Sequence, residues 1–136
     1  MNTQNPIGEI MTKELITICP TEKLEKVDEI FRNNKIHHIP VVEYKKLVGI
    51  LSKSDFQFFQ RGNGNGKVQD QTLENERYQR TFVKDLMTTG IARISSKDKI
   101  AVAIELFKEN LFHCIPIVDD DELVGLVTPL DIIKSI

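Results

Sequence analysis

Two stretches of this chain place the same reactive side chains at the same spacing. Gly49-Ile50-Leu51-Ser52-Lys53-Ser54-Asp55 and Gly125-Leu126-Val127-Thr128-Pro129-Leu130-Asp131 both read glycine, two apolar residues, a hydroxyl, two variable positions and an aspartate. A hydroxyl followed three residues later by an acid marks a helix start, because the hydroxyl accepts from the third backbone N–H and the acid reaches back to the first. Pro129 suits the first helical position, where a missing N–H is harmless. The same geometry can also grip a ligand. A helix N-terminus presents unpaired N–H groups and a partial positive charge to an anion. A hydroxyl there can donate to a phosphate oxygen, and a carboxylate one turn on can accept both hydroxyls of a ribose. Such charge-assisted bonds are worth about 1.5–3 kcal/mol each. The glycine would let backbone come close to that ligand. A capped helix and a nucleoside grip both fit these residues.

The elements that must position the motif are themselves duplicated. Ile10-Met11-Thr12 recurs as Leu86-Met87-Thr88, Ile39-Pro40-Val41-Val42 as Ile115-Pro116-Ile117-Val118, and Leu47-Val48-Gly49 as Leu123-Val124-Gly125. Every pair is 76 positions apart, and laying 7–60 on 83–136 without a gap gives 15 identities in 54 positions. A repeat of this period is one supersecondary unit used twice. Each copy reads as a short β-like piece (15–18, 91–94), a helix, two strands and a second helix. The apolar stripes are Leu24, Val27, Ile30 and Phe31 in the first copy, and Ile100, Ala103, Ile104, Phe107 and Leu111 in the second. The strands are His38–Val42 with Leu47–Leu51 and Cys114–Val118 with Leu123–Val127. Each pair is joined by a polar link, Glu43–Lys46 or Asp119–Glu122. The order is β-α-β-β-α, twice. One such unit is too small to close its own core. Two related by a pseudo-twofold axis can pack their sheets face to face, which leaves two equivalent clefts suited to small ligands. The connector is glycine- and asparagine-rich at 62–66 and almost wholly polar over 68–80, with a weak surface helix starting near Thr72 as one option. We read residues 61–82 as a flexible linker between a first motif at 1–60 and a second at 83–136.

With its Met-Thr openings, Ile-Pro-Val-Val and Ile-Pro-Ile-Val strands, Leu-Val-Gly steps and hydroxyl-x-x-Asp motifs, each copy resembles a CBS motif, and the chain resembles a tandem CBS-domain pair, or Bateman module. The resemblance spans nearly everything outside the connector. It implies a pseudo-symmetric α/β disc that takes an adenine nucleotide or adenosyl compound (AMP, ADP, ATP or S-adenosylmethionine type) as a regulatory ligand and requires no cofactor. Carried over position by position, it gives Asp55 and Asp131 the ribose hydroxyls and Ser52 and Thr128 the phosphate or ribose. Ile50 and Leu126 sit beside the base. Ile16 and Ile36 would line the Asp131 cleft, and Ala92 and Phe112 the Asp55 cleft. His37, His38 and His113 stand where relatives place phosphate-reaching His or Arg. Cys114 departs from that pattern at the position matching His38, with Arg93 and Lys53 as substitute charges.

Composition narrows the alternatives. A formal charge of −2 and a pI of about 5.9 argue against nucleic acid. Cys19 and Cys114 form neither a CxxC motif nor a disulfide pattern. The chain opens without a signal-peptide pattern and carries no membrane-length apolar run, so a cytoplasmic location is expected. His37 and His38 point to opposite faces of a strand and no ligand set has zinc spacing, so no metal is expected. No nucleophile, base and orienter come together, so no catalysis is expected. The expected role is a sensor that signals to a partner protein in trans. Homodimerisation is expected through the face of the final helices that includes Phe56, Phe58 and Phe59, which equally suit core packing. The alternative is a structural dimerisation module with vestigial clefts.

Overall fold

The computed structural model describes residues 1–61, 71–109 and 113–136, and of 71–75 the backbone alone. Four strands form one sheet of order β1-β2-β4-β3: β1 (His38–Glu43) and β2 (Lys46–Ser52) make one hairpin, β3 (Ile115–Asp119) and β4 (Glu122–Val127) another, and β2 meets β4 antiparallel at Lys46 and Glu122. The helices are α1 (Leu24–Asn33), α2 (Lys53–Gln60), α3 (Gln71–Arg80), α4 (Val83–Leu86), α5 (Ile100–Lys108) and α6 (Pro129–Lys134), with a 3-10 turn at Ile7–Glu9. The expected β-like pieces at 15–18 and 91–94 shrink to single parallel bridges, Ile18 to Val41 and Ile94 to Ile117. The polar links also shrink. The strands run into them and leave two-residue loops, Tyr44-Lys45 and Asp120-Asp121, with φ of 52°, 67°, 51° and 66°. Two successive positive φ values give a turn whose twist matches the hairpin, adopted here by residues other than glycine.

The chain divides into two compact units. A β1–β2 unit comprises Thr17–Glu43 and Val48–Thr89, and a β3–β4 unit comprises Met1–Ile16, Tyr44–Leu47 and Gly90–Ile136. Each therefore holds the body of one repeat and the opening residues of the other. In the β1–β2 unit the α1 stripe, Leu24, Val27, Ile30 and Phe31, packs on Ile39, Val41, Leu51 and Phe56, with Val83 from the second repeat's opening fully buried among them. In the β3–β4 unit Ile100 and Ala103 pack on Ile115, Ile117 and Val127, with Ile7 from the first repeat's opening buried to the same degree. Leu111 of the α5 stripe lies outside the described residues.

Backbone hydrogen bonds hold each opening, and they recur at a shift of 76. Ile7 N–H donates to Asp98 O (2.7 Å) and Val83 N–H to Glu22 O (2.8 Å). Ile100 N–H donates to Asn5 O (2.9 Å) and Leu24 N–H to Thr81 O (3.2 Å). The β3–β4 unit adds a polar clasp that the first copy, with Cys19-Pro20 at this place, cannot build. Ser96 Oγ (2.5 Å), Ser96 N–H (3.0 Å) and Ser95 Oγ (2.9 Å) all donate to Asp119 and hold its carboxyl below the usual range.

Within the connector, α3 packs on α1, and its Tyr78 is only 5% exposed. The Tyr78 hydroxyl accepts from Gln60 Nε2 at 2.9 Å, and its ring lies 5.7 Å from Phe56 and 6.2 Å from Phe59. Arg77 sits 4.2 Å over the Phe59 ring and donates to Phe59 O at 2.9 Å. Of the three phenylalanines read as a partner face, Phe56 is thus core, Phe59 is covered by α3 and Phe58 alone stays exposed. The glycine-rich 62–66 lies outside the described residues.

Because Ile7 completes a core, Ile7→Ala should lower the unfolding free energy by about 2–5 kcal/mol, as for any fully buried isoleucine. Chemical denaturation measures this, and a loss below about 1 kcal/mol would show that the opening is dispensable.

Candidate ligand site

β2 delivers Ser52 to the start of α2, where its Oγ accepts the Asp55 N–H at 3.0 Å. The reciprocal arm of a capping box is missing. Asp55 is half-exposed, and among the described residues its carboxylate has no hydrogen-bond partner. The Lys53 N–H donates to His37 O at 2.8 Å, which ties the segment before β1 to the start of α2. Beside this contact lies a depression of about 500 Å³ lined by Phe31, Arg32, Asn33, Asn34, Lys35, Ile36, His37 and Lys53. His38 enters β1, Ile36 packs against the core, and Ile50 is buried.

The equivalent residues of the β3–β4 unit are arranged differently. Thr128 caps α6 with both arms of the box: its N–H donates to Asp131 Oδ2 (2.9 Å), and Asp131 N–H donates to Thr128 Oγ1 (3.4 Å). The other oxygen, Oδ1, accepts from Thr12 Oγ1 at 3.1 Å. Both carboxylate oxygens of Asp131 are therefore occupied. Pro129 has no N–H, so the bond that Lys53 makes to the His37 carbonyl has no counterpart at His113. Leu126 is buried, His113 and Ile16 are exposed, and Ala92 is half-buried. Phe112 lies outside the described residues. The expected site residues thus fall into two groups: Ile36, His37, His38, Ile50, Ser52 and Asp55 in one unit, and Ile16, Ala92, His113, Leu126, Thr128 and Asp131 in the other.

The glycine before each motif serves a purpose other than ligand approach. Thr88 pairs antiparallel with Ile50 (N–H···O 2.8 and 3.0 Å), and Thr12 with Leu126 (2.8 and 3.0 Å). These pairings lay Met87 and Met11 across the glycines. A Cβ on Gly49 would stand 2.7 Å from Met87 Sδ and 3.0 Å from Thr88 O, and one on Gly125 2.5 Å from Met11 Sδ and 3.0 Å from Thr12 O. The space is filled by protein, which corrects the reading that glycine admits a ligand. The Met-Thr recurrence was visible in the sequence, but its role as the segment laid on these strands was not, and neither was the Thr12 bond to Asp131.

Cys114 is half-buried beside this motif. Burial, and then the negative charge of Asp131, push its thiol pKa up to about 12, whereas Cys19 is exposed. Among the described residues no three His, Cys, Asp or Glu side chains could hold a metal ion, and no helix is long and apolar enough to cross a membrane.

Two outcomes follow from this geometry. Iodoacetamide at pH 8 should alkylate Cys19 and spare Cys114 in the folded protein, because only the thiolate reacts. Equal labelling in a peptide map would contradict the burial of Cys114. Gly49→Ala should destabilise by about 1–3 kcal/mol, since the added methyl meets backbone as well as the methionine. An unchanged melting temperature would show that the contact relaxes freely.

Comparison with known proteins agrees with this architecture. The CBS domain pattern matches twice, over residues 7–60 and 83–136. Inosine-5'-monophosphate dehydrogenase of Thermoplasma acidophilum is 30% identical over 125 residues, 91% of this chain and 22% of that protein. The chain spans between 22% and 39% of the lengths of the first curated relatives it matches. Among solved structures, the CBS-pair protein CBSX2 of Arabidopsis thaliana is 26% identical with a TM-score of 0.80, over 98% of this chain and 94% of that one; CBSX2 has also been solved in complex with AMP. The CBS domain pair of protein MJ0100, solved with 5'-methylthioadenosine and S-adenosyl-L-methionine, is 25% identical with a TM-score of 0.70, over 96% and 94% of the two chains. With its two motifs at these positions and two helix-strand-strand-helix repeats, each entered by a single β-bridge, the chain belongs to the CBS domain family as a tandem CBS pair.

Proposed function

We propose that this CBS pair is a regulatory module rather than an enzyme. In this reading it takes an adenosine-bearing ligand at the start of α2 and signals to a partner protein. One observation carries the reading: the Asp55 carboxylate, one turn into α2 beside the Ser52 hydroxyl, is half-exposed and has no partner among the described residues. A carboxylate held that way accepts a ribose diol without first breaking another bond. The end of the first turn that His37 O and Ser52 Oγ do not already occupy, with its partial positive charge, and the His37 side chain then serve the phosphate side. The ligand class is supported by the AMP complex of CBSX2 and the adenosyl complexes of the MJ0100 pair. Asp131, Thr128 and His113 would serve a second site only at the cost of the bonds Asp131 already makes, so we assign the tighter site to Asp55. Ile16, Ile36, Ile50, Ala92, Phe112 and Leu126 remain the candidates for contact with the base, and His38 for the phosphate. Signalling requires that ligand affinity differ between two states of the pair.

A structural dimerisation module is the second reading. It is favoured by exposed apolar side chains along α6 and after it, Leu130 (55%), Ile133 (63%) and Ile136 (83%). A homodimer is compatible with either reading, and light scattering at tens of micromolar protein tests it; a monomer there removes it.

A thermal-shift titration with AMP, ATP and S-adenosylmethionine separates the two readings. A ligand at 100 times its Kd should stabilise by about 2.7 kcal/mol, and no shift at millimolar ligand would favour the structural module. The 2'-deoxy form of the ligand that binds should bind at least about tenfold more weakly, because the carboxylate loses one of its two donors. Asp55→Ala should abolish this discrimination, while Asp131→Ala retains it. Equal binding of ribo and deoxy forms would remove the diol role.

A further inference from the structure

The depression beside α2 has a cationic lining, and the sequence positions that match it in the second motif do not keep that charge. Arg32 and Lys35, at and just after the end of α1, face the same space as His37 and the first residue of α2, Lys53. No acidic side chain lines it; Asp28 reaches Arg32 from the preceding turn (3.0 Å) and offsets that one charge in part. At a shift of 76, Arg32, Asn33, Lys35 and Lys53 become Lys108, Glu109, Leu111 and Pro129. Lys108 is paired with Glu105 at 3.0 Å. The second motif thus replaces two of the three lysine or arginine positions with apolar residues and adds an acid, although the two copies share their core pattern.

Resting on the reading of Asp55 and Ser52 as an adenosine site, we propose that this depression holds the distal phosphates of that ligand. The first motif is therefore a nucleoside polyphosphate site rather than a monophosphate or adenosyl site. The geometry supports this through shared residues. Lys53, the first residue of α2, and His37, whose carbonyl accepts the Lys53 N–H, stand beside the place where the first phosphate would rest and also line the depression. Their mutual backbone bond keeps the two parts in register. A chain of phosphates leaving the helix start enters a volume of about 500 Å³ whose charged lining is cationic.

The test is isothermal titration with AMP, ADP and ATP, free of magnesium, on the wild type and on Lys35→Ala and Lys35→Glu. Lys35 is exposed, so neither substitution threatens folding. The wild type should bind ATP at least about tenfold tighter than AMP, as one charge-assisted contact provides. Lys35→Glu should remove that preference and leave AMP affinity unchanged. Equal affinity for the three nucleotides in the wild type would overturn the proposal, and so would a Lys35→Glu loss that is the same for AMP and ATP. If no adenosine compound binds at all, the reading of the Asp55 site fails instead. Inorganic tripolyphosphate then tests the depression alone: binding that Lys35→Glu abolishes keeps it as an anion site, and no binding removes it.

Discussion

Each half of this protein depends on a backbone pairing between a Met-Thr opening and a strand from the other repeat. Thr12 on Leu126 and Thr88 on Ile50 are bonded in both directions, and each pairing presses a methionine onto a glycine. That contact explains the rest of the conserved-looking pattern within the duplication. The glycine is required because a Cβ would collide with backbone as well as with the methionine. The residue before the opening helix, Pro6 or Phe82, bridges to the residue capping the long helix, Lys99 or Lys23. Ile7 and Val83 then reach the two cores. The motif that follows the glycine starts its helix from a strand pinned on both sides, so Ser52 and Thr128 stand at defined positions.

From that common frame the two copies diverge by small chemical differences with direct geometric effects. A proline in place of Lys53 deletes one N–H and with it the bond that holds the His37 carbonyl. A threonine in place of Ser52 caps α6 with both arms of the box, and Thr12 takes the remaining oxygen of Asp131. Thr88 stands at the equivalent place in the other unit, yet no bond between it and Asp55 is present among the described residues. The same motif can therefore close a helix in one copy and leave a carboxylate available in the other. How many acceptor positions stay open at each helix start is set by the hydrogen bonds that start has already satisfied.

Much of this was legible in the sequence. The constant spacing of 76, the apolar stripe of α1 and that of α5 as far as Phe107, and the hydroxyl-x-x-Asp helix starts all stand where periodicity and capping chemistry put them, because these are local rules. What could not be read was non-local. Since both repeats carry equivalent openings and equivalent strands, no pattern in the sequence says which opening lies on which strand. Tyr78 sits in a helix whose only other apolar residue is Leu73, and its burial depends on Phe56 and Phe59 being near. The tight hairpin loops were read as longer links because Tyr44-Lys45 and Asp120-Asp121 lack the glycine or asparagine that usually signals two positive φ values. The difference between Asp55 and Asp131 lies in side-chain orientation, which spacing does not encode.

The exchange of openings also governs the order in which the protein can fold. The β1–β2 unit is not complete until Val83–Thr89 has left the ribosome, although its strands and both flanking helices are made long before. Residues 1–16, made first, find their place only when Gly90–Ile136 exists to receive them. Closing such long loops precedes the contacts that reward it, so folding should be slow relative to a chain whose repeats close independently. During synthesis the nascent chain carries Ile7 and an open first core side by side, and the fidelity of folding rests on Ile7 not entering the place meant for Val83.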